Sequence, residues 1–167
     1  MAMGYTNLYI TPKNPDFVPS EGDIKLAQSY IDHWMDENEV FCDPEPKWRV
    51  SSDQMLVGTF PEKLTCGACG VVIDMHDEEI DEWAYELRES IYVSRDARNV
   101  IVRMPCCQAT LTAGTLALES DKYPVESHLC RFSVYFHDFD CELKPTELAE
   151  FSQILKCEII QFVEIGT

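Results

Sequence analysis

Four of the eight cysteines form a pattern that can bind a metal ion. Cys66 and Cys69 make a Cys-x-x-Cys pair, and the adjacent Cys106 and Cys107 follow Pro105 further along the chain. Two thiolates separated by two residues can wrap one Zn²⁺ with Zn–S bonds of about 2.3 Å, and a second pair completes the tetrahedron. The sequence therefore predicts one Zn²⁺ held by these four thiols.

The residues beside the two pairs shape the turns that the site needs. Gly70 follows the first pair, where it permits positive φ and lets backbone N–H groups point at the sulfurs, as in a zinc knuckle. Cys106 and Cys107 would point to opposite faces of a strand, so both can bind one ion only if the chain turns there. Pro105 favours such a turn. If one of the two thiols points away, the candidates for the fourth ligand are His76, His128, Cys130 and Cys42.

The other four cysteines are scattered along the chain. We expect them to be reduced, buried apolar side chains: Cys42, Cys130, Cys141 and Cys157. A thioredoxin-type catalyst places its Cys-x-x-Cys at a helix N-terminus, where the helix dipole lowers the thiol pKa. Here a short strand is predicted directly after the pair, over residues 70–73, so the pattern disfavours redox catalysis.

Composition and charge restrict the class of protein. The 167 residues suit a single domain, and the 13 Lys and Arg against 30 Asp and Glu give a net charge of −17. That charge repels phosphate backbones and anionic membrane surfaces, so neither nucleic acid nor membrane is expected as a partner. The acidity either keeps the protein soluble or recognises a basic protein partner. With no signal peptide and no apolar run of about 20 residues, a cytoplasmic location is expected.

Both ends of the chain read as strand, helix, strand. In the first part, a strand at residues 7–10 precedes a helix capped by Ser20 and ending near Glu37, and one or two short strands follow between Trp48 and Val57. His33 lies opposite the apolar stripe of that helix and is expected in solvent. In the last part, residues 131–139 alternate as a strand, Pro145 begins a helix, and residues 157–165 form a closing strand.

The middle of the chain carries the cysteine pairs with a helix between them. This helix is predicted to start at about Asp77, and a strand over residues 99–104 delivers the second pair. Two strand-helix-strand units around such an insert predict an α+β fold of the ferredoxin-like kind. The insert is predicted to be a sub-module at residues 62–115, clamped by the metal, of one domain spanning residues 1–167.

These residues resemble a group of small uncharacterised bacterial proteins with a Cys-x-x-Cys … Pro-Cys-Cys-Gly arrangement. The resemblance rests on residues 64–70, Trp83 in the following helix, residues 104–107 and the Tyr123-Pro124 step. It implies a zinc-ribbon-like site made by Cys66, Cys69, Cys106 and Cys107, and it implies no activity. This chain departs from the pattern at Gln108, where the group has Gly.

Two other stretches bring imidazole close to carboxylates, around His76 (residues 74–79) and His137 (residues 137–142). Either stretch has the groups to bind a divalent ion or to supply acid–base chemistry, but a helix start at the first and a strand end at the second are the favoured explanations. The favoured hypothesis is a non-enzymatic protein with a structural Zn²⁺ and an acidic recognition surface, as in an immunity factor or an inhibitor. The alternative is a zinc-dependent hydrolase or a thiol-dependent redox enzyme.

Overall fold

The computed structural model describes residues 4–119 and 127–166. The chain divides into two compact units, which are described separately. Unit 1 comprises Met1–Val50 and Arg131–Thr167, and unit 2 comprises Ser51–Cys130. The predicted sub-module at 62–115 lies within unit 2. Among the described residues, no helix has the length and apolar character needed to cross a bilayer.

The fold is mixed α+β, as predicted. Unit 1 contains two helices, α1 (Glu21–Glu37) and α3 (Pro145–Leu155), and unit 2 contains α2 (Asp81–Val93). The long strands are β1 (Tyr5–Pro12), β2 (Lys47–Gly58), β8 (Ser127–Phe136) and β9 (Ile159–Gly166). The short strands are β3 (Lys63–Thr65), β4 (Val72–Asp74), β5 (Ile101–Arg103), β6 (Thr110–Thr112) and β7 (Ala117–Glu119).

The sheet of unit 1 has the strand order β2-β8-β1-β9. Strand β1 lies between β8 and β9 and is antiparallel to both. Leu8 is opposite Phe136 on the β8 side and opposite Val163 on the β9 side. Alternate residues of these strands point to one face, where Leu8, Ile10 and Phe136 are fully buried. That face forms the core of unit 1 together with apolar residues of α1 and α3.

The helices of unit 1 follow from local sequence signals. The Ser20 hydroxyl accepts a hydrogen bond from the Asp23 N–H at 3.1 Å, and α1 ends at Glu37 as predicted. Pro145 is the first residue of α3, where its missing N–H has no cost. His33 is exposed, 3.1 Å from the Glu37 carboxylate.

Unit 2 is built from short hairpins around α2. The strands β3 and β4 pair antiparallel, as do β5 and β6, and β7 adds to the other edge of β3. The middle helix begins later than predicted, because Asp77 caps a 3₁₀ turn at Glu78–Ile80 and α2 itself starts at Asp81. Buried residues of this helix join the unit 2 core, among them Ala84, Leu87 and Ile91.

Candidate metal centre

The first cysteine pair lies in the turn between β3 and β4, which we call the first knuckle (residues 66–71). The Cys66 N–H donates to the Val71 carbonyl and the Gly70 N–H donates to the Cys66 carbonyl, both at 2.9 Å. Gly70 has a φ of 74°, in the left-handed region that glycine adopts without steric cost. The turn therefore closes tightly with its two thiols on one six-residue loop.

The adjacent cysteines lie in the turn between β5 and β6, the second knuckle (residues 104–109). The Met104 N–H donates to the Ala109 carbonyl and the Gln108 N–H donates to the Met104 carbonyl, again at 2.9 Å. Gln108 has a φ of 62° and so takes the left-handed conformation that glycine adopts more readily. The chain turns at Pro105, as both cysteines require.

The two knuckles are equivalent position by position at a distance of 38 residues. Each is a six-residue turn closed by the same two hydrogen bonds between three-residue antiparallel strands. Cys69 corresponds to Cys107, whereas Cys66 corresponds to Met104, which is fully buried. The fourth thiol comes instead from Cys106, at the position that Ala68 occupies in the first knuckle.

The structure brings the four thiols together. Their Sγ atoms all lie within 4.8 Å of one another, with 3.8 Å from Cys66 to Cys107 and 3.5 Å from Cys69 to Cys106. A disulfide needs a distance of about 2.05 Å. Four sulfurs at about 2.3 Å from one central ion would be about 3.8 Å apart at the edges of a tetrahedron. The arrangement is compatible with one metal ion, and none of the eight cysteines, all of which are described, forms a disulfide.

Backbone N–H groups favour an ionised thiol at one position of the cluster. Hydrogen bonds from the Cys69 N–H, and more weakly from the Ala68 N–H, lower the pKa of Cys66 to about 7. Desolvation among the packed thiols, with hydrogen bonding to Cys69 and Cys66, raises the pKa of Cys106 to about 12. Without a cation the cluster therefore resists holding four negative charges, and a divalent cation reverses that preference.

The rest of unit 2 holds both knuckles in place. The Trp83 indole N–H on α2 donates to the Arg103 carbonyl at 2.8 Å, directly before the second knuckle. In the first knuckle, a Cβ at Gly67 would stand 2.6 Å from the Thr115 carbonyl oxygen, so only glycine permits this close approach. Cys66 is buried, whereas the other three cysteines are exposed. The site thus has a buried anchor and an outer side that faces solvent.

Three of the four alternative ligands, His76, Cys130 and Cys42, have described side chains, and none of these three belongs to the cluster. His76 is exposed and its backbone N–H donates to Asp74 Oδ1. The buried Cys42 thiol is 3.2 Å from the Pro44 carbonyl, and Cys130 is fully buried. The side chain of His128 and the Tyr123-Pro124 step lie outside the described residues.

The remaining candidate chemistry forms no second metal cluster within the part of the chain that the structure describes. Across residues 4–119 and 127–166, the cysteine cluster is the one group of three or more potential metal ligands. His137 Nδ1 lies 2.9 Å from the Tyr135 hydroxyl, and Cys141 and Cys157 pack half-buried against the unit 1 core. The Cys-x-x-Cys pair is followed by β4, and α2 starts only at Asp81, so this pair does not open a helix as the pair of a thioredoxin-type catalyst does.

Sequence reasoning missed the equivalence of the two knuckles. The signal that could reveal it is the 38-residue offset, which aligns Leu64 with Val102 and Cys69 with Cys107. The equivalence is hard to recognise in the sequence because Met104 and Gln108 occupy the positions at which the first knuckle has Cys66 and Gly70.

Comparisons with known proteins give no assignment. No protein-family model matches the chain, and neither a curated protein nor a solved structure is significantly similar to it. The geometry of the cysteine cluster is therefore the observation from which a function has to be argued.

Proposed function

We propose that Cys66, Cys69, Cys106 and Cys107 bind one structural Zn²⁺. The observation that carries this proposal is the spacing of their Sγ atoms, which is 3.5 Å from Cys69 to Cys106 and 3.8 Å from Cys66 to Cys107. These distances match the edge of a tetrahedral four-sulfur site, and an all-thiolate site leaves no open position for a catalytic water. The ion contributes stability and no chemistry of its own.

Such an ion would join two turns that belong to separate sheets. Each knuckle is flanked by strands of three residues, and α2 lies between the two hairpins in sequence. Zinc binding of this type is worth on the order of 10 kcal/mol in zinc-finger peptides, and that free energy becomes folding free energy. We therefore propose that residues 62–115, within unit 2, form a zinc-ribbon-like module, in line with the sequence resemblance.

We further propose that unit 1 is a ferredoxin-like sandwich interrupted by this module. The strand order β2-β8-β1-β9 supports it, because each helix connects two strands separated by one other strand of the sheet. The module then occupies the connection between β2 and β8, where the simpler fold has a hairpin.

The biological role that we propose is recognition of a basic protein in the cytoplasm, as an immunity factor or inhibitor does. The support for it is the net charge of −17, which disfavours nucleic acid and membrane as partners. Affinity capture on the immobilised protein at low salt tests this role. Basic proteins that elute as salt rises support it, and a capture that enriches no basic protein contradicts it.

The metal proposal is tested by elemental analysis of the purified protein and by cobalt substitution. One zinc per chain is expected, with a tetrahedral four-thiolate cobalt spectrum. Cys69→Ser should lose the ion, whereas Cys141→Ser, a half-buried thiol outside the cluster, is the matched control and should retain it. Far less than one zinc per chain contradicts the proposal. Three sulfurs and an exchangeable water favour the hydrolase alternative.

A further inference from the structure

Unit 1 contains a groove that the metal site does not explain. It has a volume of roughly 640 Å³ and lies between the second half of α1, the loop after it and the start of β2. Its walls combine three carboxylates with apolar side chains: Asp32, Asp36, Glu45, Met35, Phe41 and Trp48. We call it the α1 groove.

The chain segment that forms most of this groove is strongly negative. Residues 26–46 contain six Asp and Glu and no Lys or Arg, with Lys25 and Lys47 directly outside this stretch. Asp32 and Asp36 are one helical turn apart, where like charges repel each other. The last turn of α1 contains no basic residue that would complement the negative end of the helix dipole. Both features disfavour the isolated helix, so local helix stability does not explain the charges.

The apolar part of the groove is also unusual for a protein surface. Phe41 is 82% exposed beside the groove, whereas Trp48 is half-buried and packs against the rings of Phe132 and Phe151. An exposed aromatic ring next to carboxylates offers a cation both a π face and hydrogen-bond acceptors. Arginine uses both, because its guanidinium is planar, stacks on rings and binds carboxylates with two hydrogen bonds.

We propose that the α1 groove binds an arginine side chain within a basic segment of the protein partner. This inference rests on the proposed recognition of a basic protein and names the surface and the chemistry that perform it. Asp32, Asp36 and Glu45 receive the guanidinium, and Phe41 and Trp48 flank it while Met35 contacts its aliphatic stem. The complementary charge of groove and segment also accelerates their encounter.

A titration with a defined probe tests this inference. The probe is a peptide of four arginines separated by glycines, added to the full-length zinc-loaded protein at about 0.15 M salt, where exposed charges more than about 8 Å apart are screened. Binding is followed by calorimetry and by tryptophan fluorescence. The matching peptide with citrulline, which has the same shape and no charge, should bind at least about tenfold more weakly.

Two variants locate the binding. The double change Asp32→Asn with Asp36→Asn should weaken arginine-peptide binding about tenfold, and Phe41→Ala should weaken it about threefold. The matched controls are Glu82→Gln with Glu89→Gln for charge and Tyr85→Ala for an exposed ring, all on α2. These controls should stay within about twofold of the original protein.

Each other result overturns a distinct statement. Equal weakening by the two charge variants means that the overall charge binds the peptide, which overturns the groove assignment and leaves recognition of basic partners standing. Equal binding of the citrulline peptide overturns arginine as the occupant, and no binding of the arginine peptide overturns the inference entirely. Zinc removal by a chelator should leave peptide binding unchanged, because the groove lies in unit 1, which has a core of its own. A protein that is purified with far less than one zinc per chain and still binds the peptide contradicts the metal proposal and leaves the groove assignment standing.

Discussion

The two knuckles reach the same backbone geometry from different sequences. The first has Cys66 at its first position and Gly70 at its fifth, whereas the second has Met104 and Gln108 at those positions. Both are closed by the same pair of 2.9 Å hydrogen bonds, and both fifth residues have positive φ. Glycine is therefore not required for the turn, although it is the residue that adopts this conformation at no cost.

The two knuckles also show that turns with the same backbone geometry can carry their cysteines at different positions. The first knuckle presents thiols from its first and fourth positions, and the second presents them from its third and fourth. The displaced first position, Met104, is fully buried and belongs to the unit 2 core. The second knuckle thus gains apolar burial at this position and places Cys106 at the exposed side of the cluster.

The largest expected effect follows from taking the ion away from both knuckles. A strong chelator at neutral pH should lower the melting temperature by about 10 °C or more, because several kcal/mol of metal binding are lost and each kcal/mol shifts Tm by roughly 3 °C at this length. Differential scanning calorimetry with and without chelator measures it. Proteolysis should then cut mainly within Ser51–Cys130, since the four proposed ligands all belong to that unit and unit 1 loses no contact with the ion. An unchanged Tm contradicts a structural ion.

The equivalence of Cys66 and Met104, the first residues of the two knuckles, is tested by moving the thiol of the second knuckle from position 106 to position 104. Cys106→Ala should reduce zinc affinity at least about a hundredfold, because one of four ligands is gone. Adding Met104→Cys rebuilds the Cys-x-x-Cys spacing of the first knuckle and should restore most of that affinity, at a packing cost of about 1–2 kcal/mol. Competition with a chromophoric chelator measures both variants.

The control for this rescue is Met104→Ala combined with Cys106→Ala. It removes a similar volume from the core without supplying a thiol, so its affinity should remain as low as that of Cys106→Ala alone. Rescue by alanine, or failure of the cysteine to rescue, shows that the two turns are not equivalent.

An intermediate effect is expected of pH on zinc affinity. It distinguishes the buried thiol of the first knuckle, Cys66, from the thiols of the second knuckle, because they lose their protons in different pH ranges. The pKa of Cys66 is lowered from 9.0 to about 7, because the Cys69 N–H donates to its thiolate. A lowered pKa stabilises the folded state above the unfolded value of 9.0, and this contribution is lost as pH falls through about 7. Zinc affinity measured from pH 6 to 8.5 should therefore fall more steeply below pH 7, by about one additional proton per ion.

The pKa of Cys106 is raised to about 12, so its proton must leave on metal binding throughout that range. Cys66→Ser should abolish the change in slope near pH 7. A slope that does not change there in the original protein shows that the Cys66 thiolate is not stabilised by the first knuckle.

The smallest effects come from exchanging the fifth residues. Gly70→Ala should destabilise the protein by about 1 kcal/mol, because φ stays at 74° and a Cβ there meets no atom within 4 Å, so the cost is conformational alone. Gln108→Gly should stabilise it by somewhat less, since glycine relieves the φ of 62° but loses the 3.3 Å hydrogen bond to the Pro105 carbonyl. Urea unfolding of the zinc-loaded variants measures both. Effects of the same sign contradict the role of φ at these positions.

Those parts of the molecule that local chemistry determines were predictable from sequence. Ser20, Glu37 and Pro145 mark the helix ends of unit 1 where the structure has them, because capping and proline geometry act within one turn. The spacing of Cys66 and Cys69 likewise indicated a knuckle, since one short turn supplies both thiols. The mixed α+β composition followed from the two periodicities of the apolar residues.

Other features depend on contacts that a linear pattern does not contain. Asp77 was interpreted as a helix start, yet it caps a 3₁₀ turn, which has the same N-terminal signals as an α-helix. The segment from Trp48 to Val57 was predicted as one or two short strands and lies within the single strand β2, because pairing in a sheet sets strand length. The positions of Cys106 and Cys107 depend on a turn with Gln108 at positive φ, which sequence preference opposes.

The central claim is tested most directly by X-ray absorption at the zinc edge on protein whose zinc content has been measured. The account predicts one zinc per chain with four sulfur neighbours at about 2.3 Å and no oxygen or nitrogen in the first shell. A shell containing nitrogen or water oxygen, or a purified protein without stoichiometric metal, would contradict it.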